Sequence, residues 1–175
     1  MSTPVIFRDP GSTFALAQAG ASGRFRKEVL RVGDYQHPIT PWPTPLHVDP
    51  AYIDSVAKAT NEALAAGVDV YVPDGHTTKA EANKGFVRRA FRDRTADGHE
   101  ALFVEMEILD PEILPKIGTP GTKVSAMIAD YGTGTGKDFG ARVVHVALPP
   151  EPIATEQSNF VPLSVAQSGT TDKVE

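Results

Sequence analysis

The chain contains no cysteine, which excludes disulfides, thiolate catalysis and cysteine-built zinc sites together. No apolar run approaches the length that spans a bilayer, so no membrane partner is expected. The opening stretch, MSTPVIFRDPGS, lacks the basic start and apolar core of a secretory signal. These absences lead to the expectation of a soluble, intracellular protein. Positive charge is also in short supply: 17 Lys and Arg face 22 Asp and Glu, for a net charge of −5. A phosphate-binding face needs clustered cations, so no nucleic-acid partner is expected. The one dense basic stretch, RRAFRDR from Arg88 to Arg94, is interleaved with Phe91 and Asp93 and reads as the solvated face of a strand. No internal repeat is present.

What the chain does have is enough apolar residues, 41% of 175, for one core and one domain. Its 15 prolines and 15 glycines imply many turns. Residues 1–22 read as a flexible N-terminal segment (1–12) leading into a first strand over 13–20. The body spans 23–150. Residues 151–175, rich in Ser, Thr, Gln and Pro, read as a polar tail or linker, mobile or docked in an extended form.

Within the body, GRFRKEVLRVG (23–33) reads as a strand whose Phe25, Val29 and Leu30 break strict alternation. The following stretch carries four prolines from Pro38 to Pro45 and cannot be helix or central strand, so it reads as a loop anchored by Trp42. The clearest helix follows. Asp49 caps it, Pro50 fits its first position, Gly67 closes it, and Ile53, Val56, Thr60 and Ala63–Leu64 form its apolar stripe. Strands are expected at 68–73, 85–93, 100–109, 123–131 and 141–150, with a hairpin turn at Asp97-Gly98 and a short helical turn capped by Asp110. The sum is mainly β with helices (α+β): a barrel-like domain of about seven strands with one substantial helix.

Two residues sit badly in this pattern. Ser125 and His145 each lie mid-strand among aliphatic residues, where a buried hydroxyl or imidazole needs a partner. His76 stands just beyond a strand end, in PDGHTT. A serine hydroxyl is a weak nucleophile until a base takes its proton, so the three form a candidate set: Ser125 as nucleophile, His76 as base, His145 as the group that orients the base. Each residue also has a plain reading as a satisfied core or loop residue, and spacing alone does not bring them together.

Other chemistries fit less well. GTGTGK lacks the spacing of a phosphate-binding loop: counted back from Gly136, the first glycine position holds Tyr131, and Asp138 follows Lys137. The five histidines show no local pair at metal-ligand spacing, so no metal and no cofactor is implied. Glu105 and Glu107 share one strand face and read as solvated.

The ordered set VYVPDGHTTKAEANKGFVRRA, EALFVEMEI, TKVSAMIADY and VVHVALPPEP resembles the prohead maturation proteases of tailed phages. That group shares a fold with the herpesvirus assembly protease, assemblin, whose triad is Ser-His-His. The resemblance runs from about residue 24 to 152. It implies an assemblin-like barrel and a serine endopeptidase that cleaves phage scaffold and major capsid proteins, and often itself, inside the immature head in the host cytoplasm. By the same resemblance His76 matches the catalytic histidine, Ser125 the nucleophile and His145 the third member. Phage relatives often carry an acidic residue at that third place, which makes Asp74 and Asp130 the substitutes. No oxyanion donor is assigned, although a backbone N–H of GTGTGKDFG is a candidate. Self-association is left open. The non-enzymatic alternative is an inactive scaffold or shell protein with the same fold.

Overall fold

The computed structural model describes residues 5–8 (as backbone), 23–37, 40–117, 124–132, 136–148 and 160–163. It is a mixed α+β fold with β1 at Val5–Arg8, β2 at Arg24–Arg31, β3 at Gly33–Tyr35 and β4 at Leu46–Val48. The helix α1 covers Pro50–Ala65, followed by β5 at Tyr71–Pro73, β6 at Asn83–Arg94 and β7 at Glu100–Ile108. The remaining strands are β8 at Ser125–Ala129, β9 at Arg142–Ala147 and β10 at Val161–Pro162. Eight strands form one sheet in the order β1-β8-β9-β5-β6-β7-β2-β10, while β3 and β4 pair separately.

The helix forms where the sequence placed it. Asp49 accepts from the Tyr52 N–H at 2.7 Å, and Pro50 occupies the first turn, where no N–H is needed. Its buried face of Ile53, Val56, Ala57, Thr60 and Ala63 packs on β6, β7 and β9. Two polar side chains of this helix serve the sheet. Asn61 makes both bonds to the Ala90 backbone, and Thr60 Oγ1 accepts from the Val143 N–H at 3.0 Å. Both targets lie beside bulges, where the ladder leaves main-chain groups unpaired: β6 slips between Val87 and Arg89, and β9 slips opposite Met127/Ile128.

The broken alternation in β2 has the same cause. Its register shifts between Glu28 and Leu30, so Lys27 to Leu30 are all buried. Buried Glu28 is held by the Arg31 guanidinium at 2.6 and 3.2 Å. The basic stretch of β6 is the solvated face expected of it, and it is ion-paired as well: Arg88 meets Glu107, Arg89 meets Glu105, and Arg92 and Arg94 meet Glu100.

The structure corrects three sequence expectations. The sheet curls until β2 touches β1 and β8, yet among the described residues these strands share no ladder, so it is not a closed barrel. The reason lies at its two edges: β10 pairs with β2, and β1 pairs with β8. Within the segment read as flexible (1–12), Val5–Arg8 is a strand. Within the proline-rich loop, Leu46–Val48 pairs with Gly33–Tyr35. Trp42 does anchor, packing on the core while its main chain bonds both ends of the Gln36 amide. The expected strand over 13–20 lies outside the described residues. In the polar C-terminal stretch, Phe160 is buried edge-on against Phe25 with ring centroids 5.8 Å apart, and the Leu163 N–H bonds the Arg24 carbonyl. Residues 160–163 are thus docked in extended form.

Candidate functional site

Ser125 begins β8 and His145 lies in β9, its antiparallel neighbour. In this register Ser125 faces Ala147 and Met127 faces His145. Alternate residues of a strand share a face, so Ser125 and His145 project from the same face as diagonal neighbours. Such pairs stand about 7–8 Å apart, too far to bond directly and wide enough for one imidazole between them.

His76 supplies that imidazole. Strand β5 runs parallel to β9, with Tyr71 opposite His145, and the Leu148 N–H bonds the Pro73 carbonyl just past it. The chain then turns sharply: Gly75 has φ of +77°, a conformation open to glycine at little cost, and the Asp74 N–H bonds the Ala82 carbonyl. This turn lays His76 back over the sheet. Its Nε2 is 2.9 Å from Ser125 Oγ, and its Nδ1 is 2.8 Å from His145 Nε2. All three sequence candidates therefore meet in one hydrogen-bonded series.

Their environments differ. Ser125 is fully buried, His145 is 6% exposed, and His76 is exposed on its outer side. Burial, and then the facing His76, lower the His145 pKa from 6.5 to about 4. His145 is accordingly a neutral imidazole near neutral pH and can accept a hydrogen bond at Nε2.

The carboxylate substitutes stand elsewhere. Asp130 lies past the far end of β8, exposed, with its carboxyl hydrogen-bonded to Asp138 and held above its ordinary range by that partner. Asp74 is exposed at the strand end, where its charge acts on the Lys84 ammonium. Part of the glycine loop expected to offer an oxyanion donor, residues 133–135, lies outside the described residues. Arg142 is buried in β9 and pairs with Ala129, four residues along β8 from Ser125.

The remaining histidines are engaged apart from one another: His47 with Asp34, His37 with the Thr40 N–H, His99 near Asp97. Among the described residues no three His, Asp or Glu side chains gather as metal ligands. Sequence reading missed Thr60, whose hydroxyl fixes the main chain two residues before His145. Its signal was a hydroxyl inside an apolar helical stripe. Comparison of the chain with family models, curated proteins and solved structures finds no match in any of the three.

Proposed function

We propose that the chain is a serine endopeptidase of the assemblin-like class, acting on scaffold and capsid proteins, and on itself, in the immature head of a tailed phage. The observation that carries the reading is the hydrogen-bonded series Ser125–His76–His145. The phage setting rests on the motif resemblance alone.

For base catalysis the tautomers follow from the geometry. His76 Nε2 must be unprotonated to take the Ser125 proton, so its N–H is at Nδ1 and donates to His145 Nε2. His145 then carries its own proton on Nδ1, and its lowered pKa keeps Nε2 available as acceptor. As Ser125 Oγ attacks a peptide carbonyl carbon, its proton passes to His76 Nε2. The charged imidazole is steadied by His145. The same Nε2–H then protonates the departing amine, the C–N bond breaks, and an acyl ester remains on Ser125. Water, losing a proton to His76, attacks that ester and frees the acid.

A second reading has one observation in its favour. Complete burial of Ser125 suits an inactive shell or scaffold protein whose polar trio only satisfies itself. The discriminating experiment treats the protein with a fluorophosphonate probe and follows intact mass, alongside cleavage of scaffold and capsid chains. Covalent addition at Ser125, abolished in Ser125→Ala and His76→Ala, is the expected result. Cleavage that survives in Ser125→Ala removes the assignment.

A further inference from the structure

A protease nucleophile must meet a carbonyl carbon, yet Ser125 is fully buried. The obvious template for an extended peptide beside it is the edge of its own strand. A peptide added there lies one strand spacing away, about 4.8 Å, with main-chain hydrogen bonds that any sequence can make. One side of β8 is taken by β9. The other is taken by β1, the outermost strand, whose four residues run antiparallel with Arg8 opposite Ser125 and Phe7 opposite Ala126.

We propose that Val5–Arg8 is an internal occupant of the substrate-binding edge of β8, and that the protease is latent until this strand leaves. The inference rests on the endopeptidase reading and adds to it a regulatory element and a binding mode. The ligand class is an extended peptide that replaces β1 by strand addition. The register carries the argument, because β1 pairs with the one edge a substrate needs and ends opposite the nucleophile. Its placement suits release. It is short, it sits at the sheet margin, and an edge strand opens without breaking the ladders inside the sheet.

The test compares the full chain, a chain lacking residues 1–8, and the double variant Ile6→Pro/Phe7→Pro. Two adjacent prolines remove the N–H that one of these positions gives to β8, whichever it is. Each protein is treated with the fluorophosphonate probe, with circular dichroism reporting the fold. If the open state is a minor one of under about a tenth, both altered chains label about tenfold faster or more, and a synthetic peptide of residues 1–10 added back slows them. Equal labelling of all three folded proteins keeps the endopeptidase and overturns the latch. Absence of Ser125 labelling in all three folded proteins sinks the endopeptidase reading itself. Unfolding of both altered chains makes β1 an integral part of the sheet and overturns the proposal.

Discussion

Lowering the pH probes the buried state of His145. Folded, its imidazole stays uncharged down to about pH 4, because burial and the adjacent His76 both oppose protonation. Unfolded, it takes a proton near its ordinary value of 6.5. Between those two values the unfolded chain binds more protons, so stability falls as the pH drops from the higher value towards the lower and levels off below it. At about 1.4 kcal/mol per pKa unit, the full loss is about 3 kcal/mol, a large share of a domain's total of roughly 5–15 kcal/mol. The comparison protein is His145→Gln, whose amide oxygen can accept from His76 Nδ1 and does not titrate. Urea unfolding of both proteins, followed from about pH 7 to about pH 4, reads the difference. Carboxylates held low by their partners, such as Asp93, Asp97 and Asp110, are present in both chains and cancel. The wild type is expected to lose about 3 kcal/mol more than the variant over this range. Parallel losses would refute the reasoning, because they mean that His145 meets the same proton affinity folded and unfolded.

Two further substitutions test what surrounds the site. Phe160→Ala empties a buried position against Phe25 and uncovers the Lys27 ammonium, which lies 5.1 Å from the ring. It should cost about 3–5 kcal/mol by denaturant unfolding and make residues 160–163 exchange amide hydrogens rapidly. A cost below about 1 kcal/mol would mean that the segment is not docked. Thr60→Val keeps the shape of the side chain but removes the acceptor of the Val143 N–H. The expected loss is about 1–3 kcal/mol, with a shifted His145 ring resonance in NMR, and an unmoved resonance would cut Thr60 out of the positioning of β9.

The parts legible in sequence are those governed by local rules. The Asp49-Pro50 start and the stripe through Ile53, Val56 and Thr60 define α1 with no help from the rest of the chain. Alternation in EALFVEMEI defines β7, and its outward Glu105 and Glu107 found the arginines of the neighbouring strand. Ser125 and His145 stood out because a polar side chain inside an aliphatic strand carries a desolvation cost that something must offset. Their meeting was not legible. It depends on a two-residue diagonal set by the β8–β9 register and on a turn that returns His76 over the sheet. The short strands β1, β3, β4 and β10 were hidden for a related reason. Each has four residues or fewer, too short for a period to show, and each exists because a partner edge was waiting for it.

The trio satisfies itself whether or not it reacts. Ser125 needs an acceptor, His145 needs a donor, and His76 offers one nitrogen to each, so no buried polar group of the series lacks a partner at that contact. Hydrogen bonding of this kind stabilises a core equally well in either proton direction, and stability measurements on Ser125 variants therefore say nothing about catalysis. Direction is what separates the two readings. A structural cluster tolerates His76 donating from Nε2 to the serine oxygen, whereas a nucleophile requires that nitrogen to be bare and the serine to donate. The low pKa of His145 keeps its ring neutral, with the single proton on either nitrogen, so the direction turns on which tautomer it adopts. A neutral His145 offers a lone pair at Nε2 only when its proton is on Nδ1, and that lone pair draws the His76 proton to the side facing away from the serine. The tautomer that satisfies the buried His145 Nε2 as an acceptor is thus the one a general base needs at Ser125.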